Sequence, residues 1–461
     1  MNRRVLSFSF PSKLLAKLEG IPGFDAAAFM AAHQQPAPVS VQVHPVKGAG
    51  LFANMPQVPW CSDGRYLEQR PVFTLDPDFH AGAYYVQEAS SMFLHYLWQQ
   101  FLAERTRLRV LDLCAAPGGK STLIASLLDR ESLLISNDVI RARATILEEN
   151  MTRWGYSNTW VASNDPRDFG RVLTGYFDVM VVDAPCSGSG LFRKDPRALN
   201  EWSEDAVVLC NLRQQRILAD AWPSLKQDGL LFYATCSYSP QEDEQILDWL
   251  ADEYEVVSLE TAIPEEWGIV TVKSPRHQLT GYRFFPDKVA GEGFFITVLQ
   301  KKEKATTCFY PRYKSVHLKK IEEKARYLLN EQPFVFLEND RKLFDAIHPL
   351  HEPDWHWIRE GLYLRKAGIL LGEAGQKEWL PAHDIALSID RSPHLPTVAL
   401  SREQALRFLK KEEVAWPDMQ KGWCIVTYNG HGLGWIKALT GRVNNYLPKH
   451  WKIRMELPDE L

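Results

Sequence analysis

Val110-Leu111-Asp112-Leu113-Cys114-Ala115-Ala116-Pro117-Gly118-Gly119-Lys120-Ser121-Thr122 is the stretch whose reading decides the fold. Its apolar start predicts a strand, its small residues a tight turn, and Lys120 onward the opening of a helix. Small residues let a backbone approach a ligand closely, and a helix N-terminus adds free N–H donors and partial positive charge. Gly119-Lys120-Ser121 also matches the end of a phosphate-cradling GxxxxGK[ST] loop, and Phe177–Asp183 imitates the acidic strand that holds magnesium there. The first glycine of that pattern falls at position 114, which is Cys, so a backbone wrapped round phosphates is disfavoured.

Outward from the loop, residues 105–301 alternate strands and helices. Strand candidates are Arg109–Leu113, Leu133–Asn137, Thr159–Ala162, Phe177–Asp183, Gly229–Thr235 and a later pair ending at Phe294–Leu299. Helical patterns separate the first five, which predicts an α/β, doubly wound parallel sheet buried on both faces. Residues 1–104 read as a lead-in domain, with helices near Ser12–Leu18 and Asp25–Ala32 and a strand at Val39–Val43. A further helix is expected to begin at Tyr84–Ser91 and run to the Trp98 region. Residues 302–387 read as a connecting domain entered through a charged linker, Lys301–Lys304. Residues 388–461 form a compact tail with a helix at Ser401–Lys411 and strands at Trp423–Tyr428 and Leu433–Ala438.

Ligands of such sheets bind at the carboxyl ends of the strands. Asp138 follows the second strand, where a carboxylate can bond both hydroxyls of a ribose. Asp165 follows the third, where it can accept from an adenine amino group, and Asp183 ends the fourth. Taken singly each is better explained as a helix cap or loop residue. Together with the Cys114–Lys120 loop they favour S-adenosylmethionine as cofactor.

Two cysteines stand at neighbouring strand ends, in Asp183-Ala184-Pro185-Cys186-Ser187-Gly188-Ser189-Gly190 and Ala234-Thr235-Cys236-Ser237-Tyr238-Ser239-Pro240. Cys61, Cys210, Cys308 and Cys424 read as small buried hydrophobes, and Cys114 as backbone support. A thiol beside a methyl donor suits carbon 5 of cytosine, which is a poor nucleophile. Addition of a thiolate to carbon 6 makes carbon 5 enamine-like and able to attack a methyl group. Asp183 is placed to face ring nitrogen 3 and the amino group. The residues alone do not say which cysteine attacks.

These motifs resemble the RNA 5-methylcytosine methyltransferases of the Sun/Fmu type. DAPCSGSG stands at Asp183–Gly190, TCSxxPxE(N/D)E at Thr235–Glu244, and the closing strand at Arg283-Phe284-Phe285-Pro286 and Gly291–Phe295. The resemblance implies a Rossmann-like methyltransferase domain. It also implies cofactor contacts from Cys114, Ala115, Ala116, Pro117, Gly118, Gly119, Lys120, Asp138, Asp165 and Asp183. Cys236 then matches the nucleophile and Cys186 the cysteine of product release. Val58-Pro59-Trp60-Cys61, Tyr85–Ser91 and Gly434-Trp435 are similar to the bacterial RsmF group, which implies methylation of 16S ribosomal RNA near the decoding region and a C-terminal PUA-like RNA-binding domain. Gln42-Val43-His44 departs from the Arg-x-Asn of many relatives, so RNA contact by the lead-in domain in the usual way is not expected.

Bulk properties bound the rest. The chain has 461 residues, 45% hydrophobic and 24% charged, which suggests about three domains of a soluble, globular kind. Its net charge of -4 does not announce a nucleic-acid binder, but phosphate affinity needs only a local basic groove. The tail offers one in Lys437, Arg442, Lys449, Lys452 and Arg454, interleaved with aromatics. Seven cysteines without a CxxC pair argue against a disulfide scaffold and for a reducing, cytoplasmic home. No secretory signal or membrane-spanning stretch is expected. His351 and His356 lack the companions of a zinc site, so no metal is expected. The partners expected are RNA, specifically 16S ribosomal RNA or the small ribosomal subunit.

Overall fold

The computed structural model describes residues 10–304, 329–374 and 378–458; Cys308 lies outside them. The lead-in region opens with helices α1 (Ser12–Leu18) and α2 (Ala26–His33), the second capped by Asp25, which accepts from the Ala27 and Ala28 N–H groups. Strands β1 (Val39–Val43), β2 (Gly64–Leu67) and β3 (Tyr84–Val86) form an antiparallel sheet in the order β2-β1-β3. Tyr84–Val86, expected to start a helix, is instead a strand paired with Val41–Val43. Aromatic and β-branched side chains favour that pairing, and Tyr84 buries itself with Val41, Val43 and Phe73. The short helix α3 (Pro77–Ala81) precedes it, and α4 starts only at Phe93 (Phe93–Leu102).

The loop that decides the fold sits between β4 (Arg109–Asp112) and α5 (Gly119–Leu127). The chain continues through β5 (Leu133–Asn137), α6 (Arg141–Trp154), β6 (Thr159–Ala162), α7 (Pro166–Val172) and β7 (Phe177–Asp183). It then passes through α8 (Pro196–Glu201), α9 (Glu204–Ala221), β8 (Leu225–Thr235) and α10 (Glu244–Glu253). Five strands are parallel, in the order β6-β5-β4-β7-β8. Beyond β8 the sheet turns antiparallel through β12 (Phe294–Lys301), β11 (Thr280–Phe284) and β10 (Val270–Lys273), with β9 (Val256–Ser258) also on β12. The sheet is therefore mixed, with a parallel core. Val110 and Leu111 alternate onto opposite faces. Val110 belongs to the cluster that holds Leu94, Trp98, Ile124 and Met151, while Leu111 belongs to the one that holds Phe169, Leu218, Leu247 and Ile358. Because β4 pairs with β5 on one side and β7 on the other, the chain reverses its winding direction at the end of β4. Ligands of open sheets bind at that crevice.

In the segment after the charged linker, strands β13 (Val335–Glu338), β14 (Phe344–Ile347), β16 (Ile369–Ala374) and β17 (Trp379–Pro381) make a separate four-stranded antiparallel sheet. Between them, β15 (Leu364–Ala367) leaves to pair with β6 at the far edge of the central sheet. The tail sheet is β18 (Thr397–Ala399), β19 (Gly422–Tyr428), β20 (His431–Leu439) and β21 (Arg442–Asn445). Its helix Arg402–Leu409 begins with a Ser401–Gln404 capping box.

Buried polar contacts fasten these parts together. Lys47 Nζ donates to the carbonyls of Ala81 at 3.0 Å and Leu387 at 2.8 Å, and to that of Arg153. The last two lie at helix C-termini, where a cation is favoured. His44 Nε2 is 3.0 Å from the Trp154 carbonyl, and Gln42 accepts from Thr122. The residues that depart from Arg-x-Asn are thus spent inside the molecule. Among the described residues no helix is long and apolar enough to cross a membrane.

Candidate active site

The loop after β4 is shaped by contacts at both ends. The Ala115 N–H donates to the Asn137 carbonyl, Gly118 adopts a φ of +119°, and α5 starts immediately after it. Only glycine takes such a conformation without strain. From α6, Arg143 donates to the Ala116 carbonyl at 2.6 Å and Asn150 to that of Pro117 at 2.8 Å. Burial pushes the Cys114 thiol up, which suits support rather than reactivity.

The parallel pairing of β7 with β8 sets Asp183 opposite Ala234, so the loops that follow emerge side by side. Gly190 N–H donates to the Cys236 carbonyl at 2.9 Å. A Cβ at Gly190 would lie 2.4 Å from the Gly293 carbonyl oxygen, which explains a glycine here. Glu242 joins the two loops. It accepts from the Ser187 N–H at 2.8 Å, the Ser187 hydroxyl at 2.6 Å and the Ser237 hydroxyl at 2.6 Å. Arg283 holds the next turn by pairing with Asp243 and, through two bonds of 2.6 Å, with Glu244. Cys186 Sγ and Cys236 Sγ end 2.9 Å apart, as free thiols in hydrogen-bonding contact. That hydrogen bond, then burial, hold the Cys186 proton well above the ordinary thiol range. Either sulfur can be the donor in this contact.

Beside the thiols, Lys120 Nζ donates to Asp183 Oδ2 at 2.7 Å and lies over the Phe294 ring. Burial lowers the Lys120 pKa, but the Asp183 charge and hydrogen bond outweigh it, and the ammonium is held more firmly than usual. Asp112 is fully buried beneath. Its Oδ2 accepts from Ser121 at 2.6 Å, while Oδ1 has no partner. Burial pushes this carboxyl up to about 7, and the Asp183 charge adds to the shift against the Ser121 hydrogen bond.

A cavity of about 160 Å³ occupies the crevice, lined by Tyr85–Glu88, Ser91, Asp112, Cys114–Pro117, Gly119, Lys120 and Asp183. It opens toward a larger cleft of about 610 Å³ between the lead-in sheet and the loop after β7, with Val86, Gln87 and Glu88 lining both. The smaller cavity suits a cationic, donor-rich group, since three carboxylates, of Glu88, Asp112 and Asp183, line it beside the ammonium of Lys120. Asp138 and Asp165 are not among its lining residues; they follow the ends of β5 and β6. Asp138 is buried, accepts from the Ile140 N–H and lies 3.4 Å from Arg143. Val139 and Ile140 beside it are more than half exposed, an apolar surface a flat base could cover. Asp165 caps α7 through the Arg167 N–H, and the Asn137–Asn164 amide contacts tie the two strand ends.

The fold thus gathers Cys114–Pro117, Gly119, Lys120 and Asp183 on one cavity, with Cys186 and Cys236 on the adjoining loops. Sequence reasoning missed Asp112, whose signal was an acid two residues before Cys114. It quoted Glu242 and Arg283 without reading their clamping role. In the tail, Arg442, Lys449, Lys452 and Arg454 are exposed. Lys437 differs: it is engaged by Glu378 and lies over the Trp423 ring.

Comparison with known proteins covers the same three regions. Residues 99–300 match the family described as 16S rRNA methyltransferase RsmB/F, residues 10–89 the N-terminal domain of 16S rRNA methyltransferase RsmF, and residues 395–453 the methyltransferase RsmF PUA domain. Ribosomal RNA small subunit methyltransferase F of Psychromonas ingrahamii is 30% identical over 419 residues, 85% of this chain and 84% of the relative. The protein of the same name from an Enterobacter species is 27% identical over 96% of both chains. Among solved structures, a methyltransferase homolog from Pyrococcus horikoshii is 26% identical with a TM-score of 0.54, covering 63% of this chain and 95% of its own. NSun6 from Pyrococcus horikoshii, solved with SFG, an analogue of S-adenosylmethionine, shares the fold at 19% identity and a TM-score of 0.52, covering 64% and 99%.

Proposed function

Because the chain belongs to the RsmB/F family of 16S rRNA methyltransferases, we propose that it methylates carbon 5 of a cytosine in small-subunit ribosomal RNA through a covalent bond to Cys236. Members of this family are S-adenosylmethionine-dependent enzymes. S-adenosylmethionine would be held by the Cys114–Lys120 loop, by Asp138 at the ribose and by Asp165 at the adenine, and when bound it supplies an electrophilic methyl group.

The observation that carries the reading is the pair of thiols 2.9 Å apart on the loops that follow β7 and β8. Cys236, as thiolate, adds to carbon 6 of the cytosine, and the ring's electron pair shifts to carbon 5. After carbon 5 has taken the methyl group, a water molecule accepts its proton, and the electron pair so freed re-forms the ring double bond and expels the Cys236 thiolate. Asp183, steadied by Lys120, faces nitrogen 3 and the amino group, where charge changes during addition. The contact between the two sulfurs supports the assignment of Cys186 to release of the Cys236 sulfur. The cleft of about 610 Å³ has room for a nucleotide turned out of its stack. Exposed Arg442, Lys449, Lys452 and Arg454 would hold the RNA from the tail.

The test is the product. The purified protein should convert a cytosine of small-subunit ribosomal RNA to 5-methylcytosine, read by nucleoside mass spectrometry after digestion. Methyl incorporation at nitrogen 4 or at another base would overturn the chemistry proposed.

A further inference from the structure

Helix α9 has a covered side and an uncovered one. Val207, Gln214, Ile217, Leu218 and Ala221 are buried against the body of the protein. On that side Gln214 donates to the Pro185 carbonyl at 3.1 Å and Asn211 to the Gln241 carbonyl at 2.5 Å, so the helix braces both cysteine loops. The other side faces solvent, yet three large apolar residues stand on it. Val208 is 53% exposed, Leu209 63% and Leu212 56%. Asp205 and Arg216 are exposed as well. Residues 205, 208, 209, 212 and 216 recur at the i, i+3, i+4, i+7, i+11 spacing that keeps to one helix face.

Single exposed apolar side chains are ordinary, but a contiguous stripe marks an interaction surface. The charges at its two ends are unspent. Glu204, next to Asp205, takes Lys13 and Lys17, whereas among the described residues neither Asp205 nor Arg216 is in an ion pair. RNA is a poor match for this face. The stripe offers no aromatic ring for a base to stack on, and Asp205 repels phosphates. An acid at one end, a base at the other and leucines between them are matched by the same stripe reversed.

We propose that the chain pairs with a second copy of itself through α9, the two helices running antiparallel about a two-fold axis between Cys210 and Asn211. Leu209 then meets the partner's Leu212, and Asp205 meets the partner's Arg216. The two-fold axis makes each of these contacts twice, as a self-complementary interface requires. The 18 residues of α9 span about 27 Å. One helix pair buries less than the roughly 800 Å² per partner of a standard interface, so the dimer forms at micromolar rather than nanomolar concentration. Because α9 also braces the cysteine loops, the dimer contact lies directly behind the proposed catalytic pair.

Sedimentation velocity of the full chain over a micromolar concentration series tests this. The wild-type protein should shift from monomer to dimer as concentration rises, and Leu212→Glu should stay monomeric. Asp205→Arg and Arg216→Asp should each weaken self-association by roughly tenfold or more, since like charges then face each other at both ends of the contact. Mixing these two variants should restore a dimer, because opposite charges meet at both ends of the mixed pair, and a chain carrying both substitutions should pair with itself. Unchanged thermal melting shows that each variant is folded. A wild-type protein that stays monomeric throughout, or a dimer that none of the three single substitutions weakens, would overturn the proposal. Weakening without rescue on mixing would overturn the antiparallel register. A monomeric wild-type protein whose affinity for small-subunit ribosomal RNA falls with Arg216→Asp would give the face to RNA instead.

Discussion

Glu242→Ala tests whether the two-thiol geometry is imposed by the protein. Glu242 is fully buried and takes three short hydrogen bonds, two from Ser187 and one from Ser237, each residue directly following one of the two cysteines. Hydrogen bonds to a charged group contribute about 1.5–3 kcal/mol each. Burial opposes them by pushing the Glu242 carboxyl up, and such bonds do not add fully. A net loss of roughly 3–5 kcal/mol from the loop contacts is expected. A displacement of about 1 Å between reacting groups can cost roughly 10²-fold in rate. Two assays follow. Single-turnover methyl transfer should fall by about 10²-fold, and oxidant-driven disulfide formation between Cys186 and Cys236, followed by mass spectrometry, should slow. Binding of S-adenosylhomocysteine should hold, because Glu242 does not line its cavity. Wild-type rates in both assays would show that the loops hold their geometry without this carboxylate, and the clamp would be refuted.

Asp112 gives a pH signature to cofactor binding. Its carboxyl is held up at about 7 in the free protein, by burial first, and positive charge brought in by the cofactor favours the ionised form. Binding therefore expels a proton below pH 7, so affinity for S-adenosylhomocysteine should rise with pH and level off above about 7. Asp112→Asn should flatten the profile; a wild-type profile already flat from pH 5.5 to 7.5 would contradict the assignment. In the tail, replacing Arg442, Lys449, Lys452 and Arg454 together by Gln should weaken RNA binding and make it less salt-dependent, by about 0.7 in log–log slope for each phosphate of single-stranded RNA that is no longer neutralised. An unchanged slope would move the RNA surface elsewhere.

The chemistry was more legible than the assembly. Small residues between an apolar run and a helix leave few alternatives, so the loop after β4 could be read from Val110–Thr122. The parallel order then placed Cys186 and Cys236 side by side without further information. Tyr84–Val86 misleads because its strand exists only through pairing with Val41–Val43, a partner 41 residues or more away that periodicity does not see. For the same reason β15 gave no sign that it would close the edge of the central sheet beside β6. Glu242 is a polar residue in a polar stretch. Its value comes from burial and from the Ser187 and Ser237 donors that converge on it, neither of which a sequence displays. Asp165 shows the opposite case: its capping of α7 is local and foreseeable, while its role toward adenine depends on what lies across the crevice.

The covalent claim is tested most directly by mixing each cysteine variant with small-subunit ribosomal RNA and cofactor and resolving the products by denaturing electrophoresis. Cys186→Ser should allow attack and methyl transfer and then stall as a protein–RNA adduct. Cys236→Ser should give neither adduct nor product, because a hydroxyl at neutral pH is a far weaker nucleophile than a thiolate, and the double variant should match it. An adduct formed only when Cys236 is replaced would exchange the two roles, and full activity without an adduct in both single variants would end the covalent mechanism.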